Sequence, residues 1–271
     1  MRVRRNTTAI TGLAMVLVLA AISIGAGTIA PYHPTKVAPA DALQPPSLQH
    51  LMGTDQYGRD VLSRVLVGSR LTLMVGPAAI AIALLFGTAM GLAAGYAGGR
   101  LDSLLMRVVD VMLAFPGVLL ALGVIAVLGI GLVNVTIAIG IAYIPNFARV
   151  TRAAVLSAKQ NLYVEASRAQ GAAGAYIVLR HIVPNITAPI LVLASSAIAW
   201  AILTSAALNF LGLGTQPPTP EWGVDLSEGR NYLANAWWMT TFPGLGIMWA
   251  VLGINLLGDG FRDVIDPYLK Q

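Results

Sequence analysis

The chain contains little charge and no cysteine, and each shortage excludes a class of protein. Only 11% of its 271 residues are charged, whereas 56% are hydrophobic. A soluble domain carries about 25% charged residues, so this sequence lacks the polar side chains that a soluble globular surface needs. The absence of cysteine excludes disulfides, thiolate metal sites and cysteine nucleophiles, and leaves the redox compartment open. The composition predicts an all-α polytopic membrane protein.

Common catalytic signatures are missing as well. The only lysines are Lys36, Lys159 and Lys270. None follows the glycine pattern of a phosphate-binding loop, so we expect no ATP hydrolysis by that route and predict that the chain is not an enzyme. No H-E-x-x-H or G-x-S-x-G motif supports an intramembrane protease. A metal site at His33 and His50 is an alternative, but without a close-spaced ligand cluster we predict no metal site, no catalytic residue and no bound cofactor.

Six apolar runs are long enough to be transmembrane helices. About 20 apolar residues span the hydrocarbon core of a bilayer. We predict spans at 9–30, 71–96, 108–130, 132–148, 188–213 and 242–257. The third is interrupted by Phe115-Pro116-Gly117, a sequence that kinks a helix. A signal peptide is an alternative for the first run, which is longer than a usual signal core and has no clear cleavage site after it.

The basic residues predict the orientation of these spans. Six spans place both termini on one side, and a cytoplasmic location puts 12 of the 17 Lys and Arg residues inside. These residues are Arg2, Arg4, Arg5, Arg100, Arg107, Arg149, Arg152, Lys159, Arg168, Arg180, Arg262 and Lys270. The outside residues are Lys36, Arg59, Arg64, Arg70 and Arg230. This asymmetry obeys the positive-inside rule. The basic residues are dispersed, so we expect lipid and no nucleic acid as a partner.

Residues 31–70 form a polar connection on the predicted external side. Proline in its first part predicts an extended, irregular chain. Val61, Leu62, Val65 and Leu66 then recur at helical spacing with polar residues opposite, a pattern that predicts a short amphipathic helix at the membrane interface. The candidate residues of this external motif are Gly53, Thr54, Asp55, Gly58, Arg59, Asp60, Ser63 and Arg64.

The positions of glycine and tryptophan residues predict two further features, a helix-packing face and an interfacial aromatic belt. Gly87, Gly91 and Gly95 repeat every four residues, so they lie on one face of the second span and allow close helix packing. A sliding surface in a moving transporter is an alternative interpretation of the same stripe. Trp222, Trp237 and Trp238 lie near the ends of a polar loop at 214–240, as in an interfacial aromatic belt.

Residues 149–187 form a polar island between two apolar spans. Charged side chains such as Glu165 and Arg168 cannot lie unpaired in hydrocarbon, so the island must face the aqueous side or another protein. Gly171 and Gly174 interrupt a helix, which predicts two short helices that meet near Gly171. Pro184 suits the first turn of the following span.

Two blocks of sequence resemble a known family. Glu165-Ala166-Ser167, Gly171 and the run His181-Ile182-Val183-Pro184-Asn185 resemble the cytoplasmic EAA loop of the permeases of ATP-binding cassette (ABC) importers. Ser167 stands where the general pattern has a second alanine. The stretch 53–70 resembles the block before the second span in the dipeptide/oligopeptide/nickel branch of these permeases. The resemblance covers most of the chain, from Gly53 onwards.

The resemblance implies a type I ABC-importer permease with six transmembrane helices. Residues 1–70 would hold the first helix and external loop, and 71–271 a five-helix permease core with a cytoplasmic coupling loop. It implies a prokaryotic cytoplasmic membrane, a homologous second permease subunit, two cytoplasmic ATPase subunits that bind ATP and magnesium, and an external solute-binding protein. The coupling residues that it implies are Glu165, Ala166, Ser167, Arg168, Gly171, Ala172, His181, Pro184 and Asn185.

Other functions remain as alternatives. A self-sufficient secondary transporter or channel would be expected to show internal repeats and charged residues in mid-span, which are nearly absent here. A membrane scaffold without a transport role has no positive support. Within the importer family, small and apolar span residues favour varied peptides slightly over nickel, which stays the alternative solute.

Overall fold

The fold consists of helices that cross the bilayer and short helices that cap their ends. The computed structural model describes residues 7–265, with the side chains of residues 7–263. The backbone N–H and C=O groups of a helix hydrogen-bond to one another, which is necessary in the hydrocarbon core because no water is available there. The helices are α1 (Thr7–Ile29), α2 (Val61–Ala97), α3 (Gly99–Leu113), α4 (Gly117–Leu128), α5 (Leu132–Ala158), α6 (Leu162–Ala169), α7 (Gly174–Ile177), α8 (Val183–Phe210), α9 (Trp222–Gly229) and α10 (Trp238–Ile265).

Among residues 7–265, five helical segments are long and apolar enough to span a membrane. They are Thr7–Ile29, Val61–Ala97, Leu132–Ala158, Gly174–Phe210 and Trp238–Asp263. A sixth candidate is the pair α3 and α4, whose axes differ by 94° across the predicted Phe115-Pro116-Gly117 break. The predicted kinked span at 108–130 is therefore wrong in detail. Pro116 precedes α4, and the 12 residues of α4 reach only about 18 Å, less than the hydrocarbon thickness of about 30 Å.

Three of the spans extend into segments that were predicted to be polar connections. α2 begins at Val61, so the predicted amphipathic helix is the first part of this span and not a separate interfacial element. α5 continues ten residues past 148 to Ala158. A π-helical turn at Val178–Ile182 joins α7 to α8 without a break, so Pro184 lies inside a longer helix.

The core lies where α2, α4, α5 and α8 meet, and α2 and α5 approach closely. A Cβ atom on Gly87 would lie 2.6 Å from the Ile144 carbonyl oxygen, and one on Gly95 would lie 2.9 Å from the Val155 side chain. Gly91 faces the Ala148 carbonyl oxygen in the same way. The structure thus places the glycine stripe against α5, where only small residues permit this separation.

Two of the three loop tryptophans are buried instead of lying in an interfacial belt. The indole of Trp222, 1% exposed, donates to the Val65 carbonyl at 2.9 Å, and that of Trp238 donates to the Thr54 carbonyl at 2.9 Å. Only Trp237 of the three is exposed. The belt prediction is therefore wrong for Trp222 and Trp238, because a buried indole N–H found a backbone acceptor.

Candidate functional site

The first candidate site is the coupling segment, defined here as residues 159–185. Within α6, Val164 and Ser167 are buried and point to the core, whereas Glu165, Ala166 and Arg168 are exposed. The spacing of Val164 and Ser167 places one turn of α6 against the core. The opposite face of this short helix therefore presents a carboxylate and a guanidinium to its surroundings.

Gly171 ends α6 and sets the direction of the chain. Its φ of +78° lies in the left-handed region. The Gly171 N–H donates to the Arg168 carbonyl at 3.0 Å, and the Ala172 N–H donates to the Ser167 carbonyl at 3.2 Å. This pair of bonds forms a Schellman motif. The next helix begins at Gly174, so two short helices meet near Gly171 as the sequence indicates.

His181 connects the two ends of the coupling segment. Its ring is half-buried and lies 5.9 Å from the Tyr163 ring of α6 and 5.7 Å from the Tyr176 ring of α7, measured between centroids. The Asn185 side-chain amide donates to the His181 carbonyl at 2.6 Å. His181 and Asn185 thus lie together, with Pro184 exposed beside them, and this aromatic cluster fixes α6 against the start of the next span.

Apolar side chains surround the charged residues on the exposed surface of the segment. Leu162 is 81% exposed and Leu179 is 70% exposed, and Tyr163 and Tyr176 are also exposed. Apolar and aromatic side chains mixed with charge are typical of a surface that contacts another protein. These four residues were not among the predicted site residues, although their apolar character inside a polar island was a visible signal.

Polar contacts at and just before the coupling segment involve three helices. The Lys159 ammonium donates to the carbonyls of Gly95 (3.0 Å) and Tyr96 (2.8 Å) at the end of α2, where a cation is favoured by the helix dipole. Just before the segment, Arg152 of α5 binds both oxygens of Asp102 of α3 at 2.5 and 2.6 Å. A displacement of the segment would therefore be passed to α2, α3 and α5.

The second candidate site is the cap, defined as residues 30–60 together with α9, at the other end of the spans. Arg59 donates to Asp55 and, at 2.7 Å, to Glu228 of α9. Arg64 donates to Asp225 of α9, with Nε at 2.9 Å. Both arginines are 2% exposed. The prediction that these charges face outward at an interface is therefore wrong, because each buried guanidinium is paired with a carboxylate of α9.

The remaining motif residues build the start of α2. The Asp60 carboxylate accepts from the Ser63 N–H (2.8 Å) and hydroxyl (2.7 Å), which caps the helix. Its other oxygen lies 2.9 Å from Nδ1 of His50. Thr54 forms a backbone bridge with Asp60. Gly58, at φ +72°, faces the Ala38 carbonyl so closely that a Cβ would overlap it.

No metal centre is assembled from these groups. Within residues 7–265, no three histidine, aspartate or glutamate side chains lie close enough together to hold a metal ion. His50 instead contacts Asp60, as described above. The cap contains a polar pocket of about 200 Å³ beside this pair, lined in part by Tyr32, Lys36 and Asp41.

Glu221 links the cap to α2 and is an acid that the sequence analysis did not select. It is fully buried, and its carboxylate accepts from the N–H groups of Gly223 (2.8 Å) and Val224 (3.0 Å) and from the Thr72 hydroxyl (2.8 Å). Burial raises the pKa of Glu221 to about 7, against the opposing effect of these hydrogen bonds. Burial also raises the pKa of Asp225, and Arg64 opposes that change. No local pattern pointed to Glu221, Asp225 or Glu228, because their partners are distant in sequence.

Comparison with known families identifies the kind of protein that carries these two sites. The model of binding-protein-dependent transport system inner membrane components matches residues 83–271. The chain belongs to this family. Its N-terminal part, residues 1–46, matches the N-terminal transmembrane domain of oligopeptide transport permease C. The resemblance of the chain to such permeases is thereby confirmed.

Three curated relatives align with nearly the whole permease. It is 44% identical over 270 residues to the dipeptide transport system permease protein DppC of Alkalihalophilus pseudofirmus, covering 100% of this chain and 89% of the relative. It is 45% identical over 272 residues to the di/tripeptide permease protein DppC of Pseudomonas aeruginosa, covering 98% and 90%. It is 47% identical over 270 residues to the glutathione permease protein GsiD of Escherichia coli, covering 99% and 89%.

A solved structure shares the fold. The MetNI methionine ABC transporter, in an inward-facing conformation, superposes with a TM-score of 0.59 at 21% identity, covering 74% of this permease and 96% of that chain. The all-helical importer fold is confirmed. The protein is a multi-pass inner membrane permease subunit of an ABC importer, which works with ATPase and solute-binding partners and is not itself the catalytic subunit.

Proposed function

We propose that this permease forms half of a translocation pathway for short peptides. Relatives with 44%, 45% and 47% identity are named for dipeptides, for di- and tripeptides and for glutathione. All three cargoes are peptides of two or three residues. These names favour a peptide over the nickel alternative, and nothing in the described residues offers a metal ligand cluster.

We infer that the coupling segment docks into a cytoplasmic ATPase subunit. The supporting observation is the exposed surface of the two-turn helix α6. It presents Glu165, Ala166 and Arg168 beside the largely exposed side chain of Leu162. When the ATPase dimer closes on ATP, docked segments are drawn together. Lys159 connects the segment to α2, and Arg152 connects the adjoining part of α5 to α3. The motion therefore tilts the spans and opens the pathway to the other side.

The proposed assembly contains a homologous second permease, two ATPase subunits that bind ATP and magnesium, and an external solute-binding protein. The termini are proposed to be cytoplasmic. Arg100, Arg149, Arg152, Lys159 and Arg180 lie at the end of the molecule that carries the coupling segment, which supports this orientation. Four other basic residues used in the orientation argument, Arg2, Arg4, Arg5 and Lys270, lie outside the described residues.

Charge reversal at Glu165 tests the proposal. Glu165→Lys places a cation on the docking surface, so we expect uptake of a labelled dipeptide by cells that express the whole system to fall about tenfold or more. Asp259→Lys is the matched control, because Asp259 is an exposed carboxylate near the same end of the molecule but on α10. We expect this control to keep uptake within about twofold of the unmodified system.

Two results would contradict the proposal. Unchanged uptake by Glu165→Lys, present in the membrane at normal level, would remove the docking role of α6. Nickel uptake without any uptake of di- or tripeptides by the unmodified system would remove the peptide assignment and leave the importer family membership in place.

A further inference from the structure

Two helices carry polar side chains at the depth of the bilayer centre. The start of α5 and the end of α8 lie side by side at the cap end, where the Gly131 N–H donates to the Leu213 carbonyl at 3.1 Å. Tyr143 lies eleven residues into α5, and Trp200 lies ten residues before the end of α8. At 1.5 Å per residue, both lie about 15 to 17 Å from that end, the middle of a hydrocarbon core of about 30 Å.

A set of polar side chains on these two adjacent helices is here called the α5/α8 polar face. Trp200 is 60% exposed, although tryptophan usually prefers the membrane interface to its centre. Tyr143 of α5 is half-buried, and α5 packs directly against α8, which carries Thr204 one turn after Trp200. The face consists of Thr136, Tyr143 and Asn146 of α5 and Ser196, Trp200 and Thr204 of α8.

The exposed surface of α1 and α10 differs in chemistry from the α5/α8 polar face. At similar depth, the exposed side chains of α1 and α10 are apolar, with Leu17, Val18, Met248 and Leu252 among them. Trp249 is also exposed there, but its indole N–H donates to the Met15 carbonyl at 3.3 Å. We therefore expect the exposed surface of α1 and α10 to contact lipid. Polar side chains in a membrane span face a bundle interior or a water-filled cavity instead, so the α5/α8 polar face does not suit lipid.

We propose that the α5/α8 polar face is the mid-membrane wall of the pathway and contacts the transported peptide. This inference rests on the proposed peptide function. The Tyr143 hydroxyl and the Asn146 amide can donate and accept hydrogen bonds, which matches the N–H and C=O groups that every peptide backbone carries. Trp200 provides a broad apolar surface for varied side chains.

The absence of charge on this face narrows the recognition further. Positions 132–148 and 186–210 contain no Asp, Glu, Lys or Arg. The face therefore recognises the neutral backbone and not the charged termini or a charged side chain of the peptide. Weak, shared contacts of this kind allow many sequences to pass and to leave, because binding strong enough to select one sequence would slow release.

Cysteine substitution gives a direct test, because the chain has no cysteine of its own. Trp200→Cys is compared with Trp249→Cys, a tryptophan at a similar depth on the lipid side, in the complete importer with cysteine-free partner subunits. A charged thiol reagent reacts only with a thiol that water reaches. We expect it to modify Trp200→Cys about tenfold faster than Trp249→Cys, and saturating dipeptide to slow only the first reaction.

A second variant tests the hydrogen-bonding role. Tyr143→Phe keeps the ring and removes the hydroxyl, so we expect the KM for a di- or tripeptide to rise about threefold or more, as loss of one hydrogen bond implies. The amount of assembled complex recovered with the tagged permease should not change. A merely structural role would lower the amount of assembled complex instead.

The outcomes separate this inference from the proposed function. Equal, slow modification of the two cysteine variants while peptide uptake is normal would overturn the pathway wall and leave the peptide function intact. If Trp200→Cys crosslinks to a second permease and the reagent never reaches it in any state, the face is a subunit interface and not a pathway wall. A complete lack of peptide uptake by the unmodified importer would overturn both.

Discussion

At the scale of single residues, Gly171 has the sharpest conformational requirement in the coupling segment. Its φ of +78° is left-handed, yet a Cβ there would meet no atom within 4 Å. The requirement is therefore one of backbone conformation and not of space. A β-branched residue is a strong outlier in this region, whereas asparagine adopts it readily.

Substitution of Gly171 separates these two requirements. Gly171→Val should reduce both dipeptide uptake and ATPase co-purification several-fold, because valine strains the turn by about 1–2 kcal/mol. Gly171→Asn adds a side chain of similar bulk but accepts the left-handed turn, so it should retain both activities. If valine is tolerated as well as asparagine, the turn at Gly171 is not needed for coupling.

Glu221 makes the stability of the cap depend on pH. Its folded pKa of about 7 exceeds the unfolded value of about 4.3. The folded state therefore holds the proton more strongly, and stability from this group is present at low pH and lost as pH rises through about 7. Glu221→Gln mimics the protonated acid, and its amide can retain the contacts with Thr72 and the N–H groups of α9.

The prediction is measured by thermal unfolding of the purified complex between about pH 5 and pH 8. The unmodified protein and Glu221→Gln should have similar midpoints near pH 5, and the variant should be the more stable of the two near pH 8. Parallel curves over this range would show that Glu221 titrates normally in the folded protein.

At the scale of elements, the α2–α5 contact depends on the absence of side chains. A Cβ on Gly91 would press on the Ala148 carbonyl and lie 2.7 Å from the Thr151 side chain, whereas one on Gly123 of α4 would meet nothing within 4 Å. Both residues lie inside helices. A comparison of Gly91 with Gly123 therefore separates the effect of packing on stability from the effect of helix propensity.

Alanine at the two positions should have opposite effects. Gly91→Ala should destabilise the permease by about 1–3 kcal/mol through overpacking, with a lower unfolding midpoint in detergent. Gly123→Ala should leave the midpoint unchanged or raise it, since alanine favours a helix by about 0.5–1 kcal/mol over glycine. An equal effect at both positions would mean that α2 and α5 do not approach as closely as described.

The elements also show what the sequence could predict. The approximate positions of the apolar runs, the glycine stripe and the turn at Gly171 follow from local patterns, because composition and spacing within a few turns determine them. The true lengths of α2, α5 and α8 do not follow from local patterns. Polar residues at their ends resembled loops, but they are satisfied by distant partners: Arg59 and Glu228 are 169 positions apart, and Arg64 and Asp225 are 161 apart.

At the scale of the whole molecule, α2 connects the two candidate sites. It has 37 residues and so is about 55 Å long. Its first turn is held by Asp60 and by the ion pairs of Arg64, and its last carbonyls accept from Lys159 of the coupling segment. A force on the coupling segment is therefore passed along one continuous helix to the cap.

Movement of α2 would also move the helix that packs against it. The glycine stripe holds α5 to α2, so α5 moves with it, and the α5/α8 polar face lies on the resulting unit. Neither the face nor the cap could be predicted from local sequence, because each combines residues from elements that are far apart along the chain. The central claim is that ATPase docking at α6 drives this unit.

Purification of the tagged permease in mild detergent, with mass spectrometry of the proteins that accompany it, tests that claim most directly. We expect a P-loop ATPase and a second permease to accompany the unmodified chain and Asp259→Lys, and the ATPase alone to be lost with Glu165→Lys. If the ATPase stays bound to Glu165→Lys as firmly as to the unmodified chain, or if the permease is recovered without any ATPase in several detergents, the claim is contradicted.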